Sequence, residues 1–341
     1  MITKKASFGD LFGEYMDESR VARQRSKTSL TAYRTVLLQW EKWASANGVD
    51  PLFPNRLEPY NFFQRSRHRR SGRNSPPSDS TQRREFYVLK SFFEWMDDFK
   101  DLGKNPLRGA QPVPTKLSKP KPVSLEVFYE HALDTDLGDS LRICLGLGWW
   151  MGLRRAEMAG LRCDALGIDD HGEPTMTFER KRTRAGINIR EHQYQVPAKK
   201  LARDHDAKGF RATEFLNWWI EAIERHCQKN YNPSNWSSSS SVSFVPHLGA
   251  NSLRNEGPTP RQISYLFGNA YRYRTALPFT PHQLRHSFAT NLARLLGDDA
   301  YEDSELMWLM GHLNYTTTTK YYDAGEALAQ KNAAQQSRDM S

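Results

Sequence analysis

Four prolines and three lysines fall within the twelve residues 111–122. Proline fixes φ, lacks an amide hydrogen and pushes the residue before it toward extended backbone, so neither a helix nor a central strand runs through this stretch. The chain is therefore expected to form two bodies on either side of an extended, positively charged connector. We place an N-terminal domain at 1–111, the linker at 112–122, a second domain at 123–325 and a tail at 326–341. A length of 341 residues agrees with two domains at roughly 100–200 residues each.

Residues 7 to about 110 read as helical. Leu30, Tyr33, Leu37 and Trp40 recur at helical spacing with Val36 widening the stripe, and Phe86, Leu89, Phe93 and Met96 repeat the pattern. Ser26 or Thr28 is placed to cap the first of these helices and Ser80 the second, which ends at Asn105-Pro106. Between them Arg65, Arg67, Arg69 and Arg70 belong to a basic loop that is either a solvated surface run or a DNA contact. Lys116, Lys119 and Lys121 make the linker a further candidate for following a phosphate backbone.

Beyond the linker, Ser124 and Val127 restart helical structure, and 141–151 is a buried helix ending near Gly152. Residues 175–179 and 187–196 read as two strands turning at Gly186, with Ile187, Ile189, Tyr194 and Val196 inward. An amphipathic helix is expected over 210–227. Loop follows at 236–243 and 248–260, and helix resumes from Arg261, broken at Pro278 and Pro281. The fold class is mainly α with a small antiparallel β-sheet.

Charge and cysteine usage narrow the class. Lys+Arg is 48 against 39 Asp+Glu, a net charge of +9, which favours a polyanionic partner. Nine Trp, 17 Phe and 14 Tyr supply real cores and exclude wholesale disorder. Three cysteines, none in a Cys-x-x-Cys pair, exclude a disulfide-built secreted scaffold, suit a reducing cytoplasm and argue against structural zinc. The longest near-apolar run, 143–153, falls far short of the ~20 residues that span a bilayer, and no secretory signal is visible. A cytoplasmic, nucleoid-associated protein without a membrane partner is expected.

Three segments of the second domain carry groups that bind anions or move protons. In the first, an apolar helix runs into Gly152-Leu153-Arg154, with Glu157 three residues on. Arginine offers a planar fork of donors that fits a phosphate, although an arginine at a helix end is more often a surface ion pair. In the second, His282 and Arg285 share one helix face, with Leu284, Phe288 and Leu292 on the packing side. That pair fits an anion site with a proton-transfer group, against a capping histidine and a solvated arginine. The third is Gly311-His312, a threonine-rich stretch and then Tyr321-Tyr322. A phenol is a poor nucleophile at its free pKa of ~10, but neighbouring guanidinium and imidazole groups can stabilise the phenolate.

Taken together, Gly-Leu-Arg-x-x-Glu, His-x-x-Arg-His-x-Phe-Ala-Thr and Gly-His followed by Thr-Thr-x-x-Tyr resemble the tyrosine recombinase (phage integrase) family, in that family's order. The resemblance spans about 123–325, and the N-terminal half looks like the family's helical core-binding domain. It implies that Arg154 and Arg285 bind the non-bridging oxygens of a scissile phosphate and that Glu157 is the acidic residue that supports the site. His282 would help accept the nucleophile's proton and His312 would donate a hydrogen bond to the phosphate. Tyr321, nine residues after His312, matches the nucleophile, with Tyr322 one residue off register. Lys181, within the run 179–184, matches the family's hairpin lysine that protonates the leaving oxygen. Gly148-Trp149-Trp150-Met151, Met310 and Asp323 depart from the pattern without removing a required group.

The function implied is a site-specific recombinase that cuts and rejoins double-stranded DNA through a 3′-phosphotyrosyl link. It would need no metal, ATP or other cofactor, and would work as a homotetramer on two DNA sites, with the tail as a candidate subunit-exchange helix. The alternatives are a type IB topoisomerase-like nicking-closing enzyme and a catalytically silent DNA-binding regulator.

Overall fold

Ser7 opens the first helix with a reciprocal cap: its Oγ accepts the Asp10 amide at 3.2 Å, and the Asp10 carboxylate accepts the Ser7 amide at 3.1 Å. The computed structural model describes residues 7–68, 74–100, 105–114, 121–168, 174–183, 186–192, 195–230, 245, 258–270 and 275–296. The chain divides into two compact units, Met1–Ser118 and Lys119–Ser341.

The N-terminal unit contains α1 (Phe8–Val21), α2 (Lys27–Ala46), α3 (Glu58–Gln64) and α4 (Asp79–Lys100). Ser26, the first of the two expected caps, accepts the Ser29 amide at 3.2 Å. α4 begins at Asp79, so Ser80 lies inside the first turn and does not cap it. The α2 stripe Val36, Leu37, Trp40 and Ala44 is buried against Phe62, Phe92 and Phe93, largely through edge-to-face ring contacts such as Trp40–Phe62 at 5.4 Å. Part of the expected basic loop is a short hairpin, β1 (Arg67–His68) antiparallel to β2 (Asn74–Ser75).

The second unit begins with α5 (Leu125–Ala132), capped as expected by Ser124, and α6 (Asp139–Trp149). Next come α7 (Arg155–Gly160), a 3-10 turn over Cys163–Ala165, and the strands β3 (Leu166–Ile168), β4 (Pro174–Thr183) and β5 (Gly186–His192). Four further helices follow: α8 (Gln195–Asp206), α9 (Ala212–Asn230), α10 (Pro260–Gly268) and α11 (Pro281–Leu296). The sheet is antiparallel in the order β3-β4-β5. α6 is the central element, buried along its whole length from Leu141 to Trp149. Gly146 makes this possible: a Cβ there would sit 2.1 Å from the Trp219 indole nitrogen, which donates to the Ile143 carbonyl at 3.0 Å.

Several expectations are corrected. β5 ends at His192 and Val196 belongs to α8, so the strand expected over 187–196 is shorter and gives way to a helix. Gly186 is the first residue of β5, paired with Thr183, so it is not the turn itself. β3 is a third strand that three residues of sequence do not announce. Cys163 and Cys227, 64 residues apart, are joined as a disulfide with Cα atoms 5.2 Å apart, while Cys144 is free and buried. No spacing rule pairs them; the fold brings the turn after α7 beside the last turns of α9. Most of the Ser-rich insertion at 232–260 and the whole tail at 326–341 lie outside the described residues. Among the described residues no helix is long and apolar enough to cross a membrane.

Candidate active site

The site is built where α6 hands over to α7. Gly152 turns the chain with φ +61°, and a Cβ there would lie 2.4 Å from Phe288 Cδ1 on α11, so both backbone and packing require glycine. The turn delivers Arg154 to the start of α7, where Glu157 accepts the Arg154 amide at 2.6 Å and its Nη1 at 2.8 Å. From the other side α11 brings Arg285, whose Nη1 donates to the Gly152 carbonyl at 2.5 Å and lies 3.6 Å from Glu157 Oε2. The first two segments, with Gly152 and Arg285 133 residues apart, thus meet on one carboxylate.

Burial differs within this trio. The side chains of Arg285 and Glu157 are 3% and 11% exposed, whereas that of Arg154 is 40% exposed. Burial favours the neutral acid of Glu157, but Arg285 and the contacts from Arg154 outweigh it and hold the carboxyl below its ordinary range. Arg285 is not the solvated arginine of the bland reading; Leu284, Phe288 and Leu292 pack its helix into the core as expected.

His282, one turn before His286, lies with its ring centroid 4.3 Å from that of His286. Burial, then the charges of Arg285 and Arg154, lower the His282 pKa, so its imidazole is neutral at pH 7 and able to accept a proton. His286 is pushed down to about 4 by burial, His282 and Arg285. A cavity of about 660 Å³ opens beside these groups, with Arg154, Arg155 and His282 on a lining otherwise formed by Phe267, Leu277 and Phe279 among others. Arg155 donates to Ser264 Oγ at 2.5 Å, tying α7 to α10.

Lys181 lies in β4, within the stretch between Arg180 and Thr183 where the pairing with β5 shifts register. His312, Tyr321 and Tyr322 fall outside the described residues, as do Arg69, Arg70, Lys116 and Lys119. Arg67 starts the β1 strand, and Lys121 is exposed. Arg65 is not on an exposed loop. Its guanidinium lies 3.0 Å from Glu85 Oε2 and 3.1 Å from Gln39 Oε1, and stacks 3.4 Å from the Phe62 ring centre. Among the described residues no group of three or more His, Cys, Asp or Glu could hold a metal ion.

Residues 207–327 match the Phage integrase family model, a span that includes His282, Arg285, His312 and Tyr321. The chain is also 25% identical over 314 residues to the tyrosine recombinase XerC of Shigella flexneri serotype 5b (strain 8401), covering 90% of this chain and 89% of that one. The match over 207–327 and this relative make the chain similar to the tyrosine recombinases (phage integrases). XerC of Escherichia coli O157:H7 matches at the same identity and coverage. Two solved structures share the fold. The XerH site-specific recombinase bound to palindromic difH substrate has a TM-score of 0.60 at 13% identity, over 97% of this chain and 85% of that one. A lambda integrase dimer bound to a COC′ core site has a TM-score of 0.56 at 15% identity, over 93% and 77%.

Two features of the second unit have no signal in the sequence. His286 lies within the His-x-x-Arg-His motif without an assigned role, because the burial that chiefly perturbs it comes from the packing of α11. His205 is fully buried on α8, its Nδ1 2.8 Å from the Tyr129 hydroxyl, and burial pushes its pKa down to about 4. No local pattern marks it, since Trp149, Trp150 and Tyr129 reach it from other helices.

Proposed function

We propose that the chain is a site-specific DNA recombinase whose chemistry is carried by Arg154, Lys181, His282, Arg285, His312 and Tyr321, with Glu157 aligning the two arginines. The observation that carries this is the carboxylate of Glu157 between Arg154 and Arg285. Three charged groups on two distant segments then have one purpose, to hold a cationic pair against an anion.

In this reading the Tyr321 phenol oxygen attacks a phosphodiester phosphorus and its proton passes to His282. The bond from phosphorus to the 5′-oxygen breaks as Lys181 protonates that oxygen, leaving a 3′-phosphotyrosyl link and a 5′-hydroxyl. Arg154 and Arg285 take the non-bridging oxygens and His312 donates to one of them. Their donors match the charge that grows in the transition state. A partner strand's 5′-hydroxyl then attacks the phosphotyrosine and gives its proton to Lys181, while His282 returns the first proton to the departing Tyr321 oxygen, and the DNA is resealed. The link conserves the energy of the broken bond, so the step calls for neither ATP nor a metal. The exposed Lys121 and the basic segment around Arg67 are candidate phosphate contacts. A tetramer on two DNA sites and a cytoplasmic location belong to the same reading.

Capture on a nicked suicide duplex tests it. The parent is expected to form a covalent protein–DNA adduct, Tyr322→Phe to keep it and Tyr321→Phe to abolish it. An adduct that survives Tyr321→Phe but not Tyr322→Phe moves the nucleophile by one residue. Supercoil relaxation without two-site exchange would instead select the topoisomerase-like alternative.

A further inference from the structure

In the N-terminal unit two guanidinium groups converge on one neutral hydroxyl. α1 ends at Val21 and the chain reverses through Gln24, whose φ is +46°, while the Arg25 amide reaches back to the Ser19 carbonyl at 3.1 Å. The turn sends the side chains on either side of Gln24 to the same place on α4. Arg23 Nη1 lies 3.2 Å and Arg25 Nη2 3.3 Å from Ser91 Oγ, which also meets the Tyr15 hydroxyl at 2.9 Å.

The charge there is not balanced. Glu18 Oε1 is 3.7 Å from Arg23 Nε, while its other oxygen takes the Trp95 indole at 2.6 Å. Among the described residues Arg25 is bonded to no carboxylate: it is held by Ser91, by the Tyr33 hydroxyl and by the Tyr33 ring face at 4.2 Å, and its buried Nε has no hydrogen-bond partner. The Tyr15 hydroxyl and both guanidinium groups all donate toward this one uncharged oxygen, so it orients the cations without neutralising either. Two like charges held against one oxygen repel, and an anion that accepts from both forks relieves the repulsion. Arg25 also leads directly into Ser26, the cap of the 20-residue α2, whose N-terminus adds positive potential on the same loop.

We propose that Arg23 and Arg25, oriented by Ser91, clamp a backbone phosphate of duplex DNA. The clamp rests on the reading that the chain binds DNA, and it adds a contact outside the basic 65–73 segment. It reads charge and carries no base specificity.

The test is the salt dependence of binding by the full chain to a labelled duplex of arbitrary sequence, followed by fluorescence anisotropy. Losing the one clamped phosphate should flatten the slope of log K against log salt by about 0.9, the change expected for Arg23→Gln with Arg25→Gln. Arg23→Lys with Arg25→Lys keeps the charges and should restore the slope, at lower affinity because the fork is gone. A double Gln variant that is folded by circular dichroism yet retains the parent slope overturns the clamp. If that variant fails to fold, the Lys pair decides: parent slope with weakened affinity supports the clamp, and parent affinity overturns it. A parent that does not bind duplex DNA at low salt rejects the underlying reading instead, which keeps the two failures distinct.

Discussion

Both units set arginine against a carboxylate, with different exposure. In the N-terminal unit Glu85, 0% exposed, faces Arg65, 12% exposed, whose fork also serves Gln39 and the Phe62 carbonyl. In the catalytic unit one carboxylate, Glu157, faces both Arg154 and Arg285, and the Arg154 side chain is still 40% exposed. Arg65 with Glu85, sealed against the Phe62 ring, is a strut. Among the described residues Glu157 holds two guanidinium groups in fixed geometry, and that of Arg154 still reaches solvent, where it can meet an anionic transition state. The same residue types therefore do different work, and exposure separates them.

That contrast can be broken most sharply at Arg65. Arg65→Ala removes the guanidinium 3.0 Å from the buried Glu85 carboxylate and is expected to cost about 3–5 kcal/mol of stability in urea unfolding, with cleavage by the folded fraction on saturating DNA unchanged. If DNA binding weakens while stability holds, Arg65 is a DNA contact and the comparison fails. Arg154→Ala should behave in the opposite way. Single-turnover cleavage of a suicide duplex is expected to slow roughly 10²–10³-fold, about 2.7–4 kcal/mol, with the unfolding midpoint little changed. A large loss of stability there would make Arg154 a second strut.

Gly152→Ala tests the turn that aims Arg154. It places a side chain at φ +61° and against Phe288, so a loss of about 1–3 kcal/mol in unfolding free energy is expected, with slower cleavage as the arginine shifts. An unchanged protein would show that the α6–α7 corner is not held by α11.

The smallest effect concerns the buried histidine behind the site. The folded pKa of His205 is pushed from 6.5 to about 4 by burial, so between those values the unfolded chain binds the proton and the folded chain does not. The associated stability is complete above pH 6.5 and declines as pH falls toward about 4, by at most about 1.4 kcal/mol per pH unit for this group. His286 titrates in the same direction. His205→Gln should flatten the fall in urea midpoint between pH 7 and pH 5 without removing it; an unaltered slope would show that His205 does not drive it.

Elements with a long apolar period were legible before folding. α2, α4, α6 and α9 have stripes that repeat over several turns, and the sum of many weak preferences identifies them. α3, α7 and β3 are too short to accumulate such a signal, and at the start of α8 Val196 continues an alternation that reads as strand. At the site, the motifs around Arg154 and His282 stood out locally and the resemblance gave Glu157 a supporting role, whereas its pairing with Arg285 was not legible because that partner is on another helix.

The amino-acid order by itself determined where the chain divides its periodic segments around a proline-rich connector, which family its motifs resemble and which side chains are chemically able to hold a phosphate. Only the tertiary structure decided which arginine is consumed by packing and which pair shares one carboxylate. It also joined Cys163 to Cys227 and stripped His205 of water. The reason is physical: residue identity sets what a group can do, but burial and counter-charge come from neighbours distant in sequence, and these decide what it does.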